Sequence, residues 1–117
     1  MKQYLLSVCY PAGATQPPPD ALQRIIGDVN ALRKEMQAQG AWIFSGGLHP
    51  AGTATVVREQ AGTMVTTDGP FIESKEQIGG ITILKASDLD GALAWGRRLA
   101  HAIGVPVEIR PFTEGHG

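Results

Sequence analysis

The sequence predicts an α+β domain: a ferredoxin-like βαββαβ antiparallel sheet with two helices on one face. Three observations lead there. Two segments repeat apolar residues at three- and four-residue steps, Leu22, Ile25, Ile26, Val29, Leu32 and Met36 in one, Leu89, Ala92, Leu93, Leu99 and Ile103 in the other. Short alternating or β-branched runs flank both, which gives two βα units. Between the units, two strand-like runs separated by Gly62 read as a hairpin.

Lys2 to Tyr10 is the first strand, with Tyr4, Leu6, Val8 and Tyr10 on one phase and Leu5, Ser7 and Cys9 on the other. It is apolar on both faces. Pro11 to Pro19 reads as an exposed, rigid connection because of its glycine and prolines. Asp20 is the expected N-cap of the first helix, its carboxylate accepting orphan backbone N–H groups, and Gly40 is the expected left-handed stop. Ala41 to Leu48 is the second strand, and Thr53 to Gln60 the third, returning through Gly62 into Met64 to Thr67. Asp68-Gly69-Pro70 is the strongest turn signal in the chain. Phe71 to Gly80 reads as irregular and Ile81 to Lys85 as the next strand. Ser87 is the expected cap of the second helix, Gly104 its stop, and Val105 to Pro111 the last strand. Residues 1–112 make one domain, with 113–117 as a mobile tail.

Ten basic and eleven acidic residues give a net charge of -1, which argues against the clustered Lys and Arg of a nucleic-acid footprint. No apolar run approaches the ~20 residues that span a bilayer, so no membrane partner is expected. The lone Cys9 cannot form an intrachain disulfide and sits in an apolar stretch, as expected of a buried, inert thiol in a cytoplasmic protein. Helices on one face leave the other face of a two-sided apolar sheet uncovered, and a second subunit, sheet against sheet, is the expected cover. The chain is therefore expected to be a homodimer.

Chemistry concentrates in Asp68-Gly69-Pro70-Phe71-Ile72-Glu73-Ser74-Lys75-Glu76. Gly69 is expected to supply unusual backbone angles, Pro70 to fix its φ, and Phe71 to approach the core rigidly. Four charged side chains within nine residues form either a solvated run or a site. Asp68 is the best candidate for a functional carboxylate. His49, in Gly47-Leu48-His49-Pro50, is the histidine placed at a strand end within the sheet region. An imidazole near a carboxylate exchanges protons near neutrality, so Asp68 and His49 are the candidate catalytic residues, with His49 otherwise a loop histidine exposed to solvent. Arg110, Lys75 and Glu73 are the candidate ligand-binding residues. Arg58 and Arg110 project from strands, where each can clamp an anion or pair with Glu73, Glu76 or Glu108. His101 closes the second helix, His116 lies in the tail, and Trp42 and Trp95 are expected in the core or an interface. The three histidines have no paired ligand spacing. No dinucleotide, phosphate-loop or nucleophile-elbow motif is present, so no metal or cofactor is expected.

DGPFIESKE resembles the DGPFAETKE signature of the YCII-related proteins, differing at Ile72 and Ser74. The resemblance extends to Lys2-Gln3-Tyr4-Leu5-Leu6, Gly47-Leu48-His49-Pro50, Gln77-Ile78-Gly79-Gly80, Asp90 to Trp95 and Val107 to Pro111, almost the whole chain. It implies a dimeric α+β barrel of the DGPF subgroup. It implies no settled reaction: most members have no assigned activity, and some are encoded beside or fused to sigma factors. A few relatives are associated with dehydrohalogenation, with a His–Asp pair suggested. Two readings follow. One is a cofactor-free protein whose pocket takes a small organic molecule, with Asp68 or His49 moving a proton in a lyase- or isomerase-like step and Arg110 holding an anionic group. The other is a non-catalytic dimer that binds a ligand or a sigma factor.

Overall fold

The computed structural model describes residues 1–72 and 74–113. Glu73, His116 and the tail beyond Thr113 lie outside the described residues. In chain order the elements are β1 (Lys2–Pro11), α1 (Pro19–Ala38), β2 (Trp42–Gly47), a short 3-10 turn (Ala51–Thr53), β3 (Thr55–Gln60), β4 (Thr63–Asp68), β5 (Glu76–Ala86), α2 (Leu89–Ile103) and β6 (Val107–Pro111). Four strands form one antiparallel sheet in the order β2-β5-β1-β6, consistent with the ferredoxin-like arrangement, and β3 and β4 form a separate ribbon.

Register decides which residues meet. Tyr4 lies opposite Leu84, Leu6 opposite Thr82 and Ile109, and Val8 opposite Gly80 and Val107. Because side chains alternate along a strand, these residues share one face. There they build the core with Leu32 and Met36 of α1 and Ala92 and Leu99 of α2. The helix α2 approaches closely because residue 96 is glycine: a Cβ there would stand 2.9 Å from Ile109 Cδ1. On the opposite face lie Leu5, Ser7, Cys9, Phe44, Ile78, Ile81 and Ile83, with Lys85, Glu108 and Arg110 around them. Among the described residues no helix covers this side. Phe44 is 51% exposed, and Cys9 is half-buried rather than buried, its thiol donating to the Ser7 carbonyl at 3.5 Å.

Both helix starts differ from expectation. The first begins at Pro19 with Pro18 as its N-cap, so Asp20 falls in the first turn. Proline suits that position because its φ is already helical and its missing N–H would have been an orphan; the proline run therefore leads into the helix. Asp20 still complements the positive helix end. The second is capped by Asp88, not Ser87: its carboxylate accepts the Gly91 N–H at 2.9 Å. Both helices stop as expected, with Gly40 at φ +71° and Gly104 at φ +84°. The strand expected at Ile81 begins at Glu76 instead, because pairing with β1 and β2 carries it through two glycines that have little strand preference of their own.

The ribbon turns through Ala61 and Gly62, at φ 49° and 83°, a two-residue loop with positive φ at both positions, as tight hairpins require. It stands away from the body. The radius of gyration is 16.3 Å, against about 13 Å for a compact chain of this length.

The helices are joined at their surface by Arg98, which donates to the Glu35 carboxylate and lies 5.2 Å over the Trp95 ring. That bond holds the Glu35 carboxyl below its ordinary value, with the Coulomb attraction of Arg98 adding to it and desolvation opposing. A lowered folded-state value stabilises the fold above the ordinary carboxylate range, and the contribution disappears as pH falls through the lowered value. Both side chains are about half exposed, so the effect is small. Arg98→Met should lower the melting temperature slightly at pH 7, and that difference should shrink toward pH 3 in a melting series. An unchanged difference at both pH values would assign the effect to the stacking on Trp95 instead.

Candidate functional site

A cleft of about 730 Å³ opens where β1 ends and β5 begins, within the size range of small-molecule sites. One wall is Pro11 to Pro17, part of the exposed connection expected from Pro11 to Pro19. Backbone bonds hold it: Ala12 N–H donates to the Lys75 carbonyl at 2.7 Å, and Ala14 N–H to the Pro11 carbonyl at 3.1 Å. The facing wall is Leu48 to Gly52, fixed by Leu48 N–H donating to the Gly79 carbonyl at 2.9 Å and Thr53 Oγ1 donating to the Pro50 carbonyl at 2.7 Å. Leu22 of α1, Pro70, Ser74, Gln77 and Ile78 complete the lining.

The floor is shaped by one irregularity. Val8 pairs with Gly80 but Cys9 pairs with Ile78, so Gly79 is an extra residue in β5, a bulge. The Tyr10 ring lies against it: a Cβ on Gly79 would come within 2.3 Å of Tyr10 Cδ2 and 2.4 Å of Cε2. A bulge at a sheet end commonly re-aims a side chain beside a site, and here the missing Cβ leaves room for the Cδ2–Cε2 edge of the Tyr10 ring at the cleft. The Gly79-Gly80 pair inside a strand was the sequence signal for this close approach.

Among the described residues, the lining carries the Tyr10 phenol, the His49 imidazole, hydroxyls of Thr15 and Ser74 and amides of Gln16 and Gln77, and no carboxylate, ammonium or guanidinium. Gln77 is itself placed, its amide donating to the Ser74 carbonyl at 3.2 Å, while the Ser74 hydroxyl donates to the Glu76 carbonyl.

The described candidate residues do not converge. His49 lines the cleft. Asp68 is exposed at the end of β4, opposite Thr55 in register, and reaches the lining only through its neighbour Pro70. Arg110 lies on β6, the sheet edge opposite β2, facing Leu5 in register and outside the cleft lining, and donates to Glu108 at 3.0 Å. Lys75 contributes its carbonyl to the loop, and its side chain is outside the lining. Phe71 does not approach the core: it is 69% exposed, with the Arg58 guanidinium 5.2 Å over its ring. Gly69 is needed for space, not for unusual angles, since its φ is not positive. A Cβ there would meet Ala54 Cβ at 3.0 Å and Val56 Cγ2 at 3.1 Å, and its N–H donates to the Ala54 carbonyl at 2.8 Å. The Gly69–Pro70 bond is cis.

The YCII-related domain family matches residues 3–113. The chain belongs to the YCII-related family. A relative, the uncharacterized protein R00369 of Rhizobium meliloti (strain 1021), is 32% identical over 80 residues, 68% of this chain. The match spans 64% of that relative's length. In this YCII-related chain the Asp68–Pro70 turn therefore needs separating into architecture and chemistry. Asp68→Asn should keep the fold at a cost of at most about 1 kcal/mol, since the side chain is exposed and asparagine suits the same turn position. Gly69→Ala should destabilise by about 1 kcal/mol or more, through crowding of Ala54 and Val56. Urea titration of both variants checks the ranking; equal losses would mean that the aspartate charge itself holds the turn.

Proposed function

We propose that this YCII-related chain binds a small, largely uncharged organic molecule in the cleft, with His49 as the group that exchanges a proton with it. The observation that carries the reading is the lining: apolar and neutral polar side chains around a single imidazole and a phenol. A neutral polar lining favours a ligand with few charges, because a buried ion with no counter-charge is costly. This departs from an anion held by Arg110, which is at the far edge of the sheet. A cofactor-free acid/base step is the chemistry that His49 supports, with Asp68 in the turn beside the cleft as its candidate second carrier. That His49 alone among the described candidates lines the cleft also favours the second reading, a non-catalytic ligand- or sigma-factor-binding member of the DGPF subgroup. We further propose a homodimer through the uncovered sheet face, on the support of Leu5, Cys9, Phe44, Ile81 and Ile83. A single cysteine with no second thiol fits the cytoplasm.

The test is calorimetry with a neutral compound selected by thermal shift. Binding enthalpy measured in two buffers of different ionisation enthalpy reports proton exchange. The parent should show buffer dependence that His49→Asn abolishes. Buffer dependence that survives His49→Asn removes the imidazole from the role.

A further inference from the structure

We propose that Tyr10 and Gln77 are the recognition pair of the cleft, and that they select a ring with a cis-amide edge, a carbonyl and an N–H side by side; this rests on the cleft reading and names its ligand class. Tyr10 and Gln77 are direct partners in the antiparallel pairing of β1 and β5, so their side chains leave the same face with about 5 Å between Cβ atoms. Both are half-buried and both line the cleft. Among the described lining residues they are the polar side chains carried by strands, whereas Thr15, Gln16, His49 and Ser74 sit on connecting segments. Groups on strands hold a binding geometry more closely than groups on loops.

The two members differ in polarity. The Tyr10 ring is seated against Gly79 and packs on the core. Among the described residues its hydroxyl enters no side-chain hydrogen bond, so its O–H remains a donor for a ligand. The Gln77 amide nitrogen donates to the Ser74 carbonyl at 3.2 Å, which orients the group and leaves its oxygen to accept. A donor therefore stands beside an acceptor, and a ligand answers them with an acceptor beside a donor on one edge. In an open-chain secondary amide the carbonyl and the N–H point opposite ways, because the bond is trans. A ring forces them to the same side. Pro11, Pro17, Pro50 and Pro70 stiffen the walls, and a pre-ordered site favours a ligand that is itself rigid. A carboxylate of the same size would set a negative oxygen against the Gln77 oxygen, so the pair also selects against acids.

Amide-shift titration of the parent, Tyr10→Phe and Gln77→Met with δ-valerolactam and δ-valerolactone tests this. The two rings match in size and differ at one position, N–H against O. The parent should bind the lactam at least about fivefold more tightly, since the lactone loses a hydrogen bond and sets its ring oxygen against that of Gln77. Gln77→Met keeps the length of the side chain and should lower that ratio about fivefold; any difference in hydration between the rings is common to parent and variant and cancels. Tyr10→Phe keeps the aromatic ring and should weaken both ligands alike. Parental shifts of the β1 and β5 amides in the unliganded variants check that the sheet is kept. Equal affinities in the parent overturn the pair without recourse to any variant. A ratio unchanged by Gln77→Met, or affinities unchanged by Tyr10→Phe, overturns it as well. If neither ring moves the cleft amides while the neutral compound selected by thermal shift does, the ligand class is overturned and the cleft reading stands. If that compound moves amides elsewhere, both are overturned.

Discussion

Leu84→Ala should cost about 2–5 kcal/mol, the largest single loss expected in this chain. Leu84 is 0% exposed at the centre of the sheet, on the same rung as Tyr4 and Trp42. Removing its branched end strips apolar area and leaves a cavity that the strands on both sides cannot collapse into, because their register is fixed by backbone bonds. A domain with about 5–15 kcal/mol in total loses a large share of its stability in one step. Phe44→Ala provides the contrast. Its ring is on the uncovered face, so the change should leave the isolated chain almost as stable while weakening self-association. Urea unfolding at low protein concentration separates the two effects. A loss at Phe44 matching that at Leu84 would mean that the uncovered face is part of the chain's own core.

Gly79→Ala should cost about 1–3 kcal/mol and close the cleft to ligand. The added methyl occupies space already held by the Tyr10 ring, which must swing away, and the ring is part of the lining. Because the clash involves that one side chain, the two positions should be strongly coupled: in a Tyr10→Ala background, Gly79→Ala should be nearly neutral. A double-mutant cycle by chemical denaturation reads this directly. Additive losses would show that Gly79 is required by the backbone of the bulge and not by the ring.

Much of the fold was legible because periodicity reports it. The Leu22 to Met36 and Leu89 to Ile103 stripes and the alternation from Lys2 to Tyr10 fixed element order and the α+β arrangement, and Gly40 and Gly104 ended the helices where a left-handed residue is needed. Boundaries were less legible where neighbours can do the same job. Ser87 and Asp88 both suit a cap, and only the path of the backbone decides that Asp88 meets Gly91. The first five residues of β5 were hidden by Gly79 and Gly80, whose strand conformation comes from pairing across two neighbours. At the site, His49 could be found as the histidine at a strand end. The separation of Arg110 from it could not, because strand order follows from long-range pairing that no local pattern encodes. The wall made by Pro11 to Pro17 escaped for the same reason: it is anchored by Lys75, far away in sequence.

The central claim is that the cleft beside His49 is the ligand site. Amide chemical-shift mapping by NMR, titrating a neutral compound that raises the melting temperature, tests it most directly. Shifts should be confined to Tyr10, Thr15, His49, Gln77 and Gly79, and should be lost in Gly79→Ala. Shifts gathered instead between α1 and α2 around Glu35 and Arg98, or along Glu108 to Arg110, with the cleft amides unmoved, would contradict it.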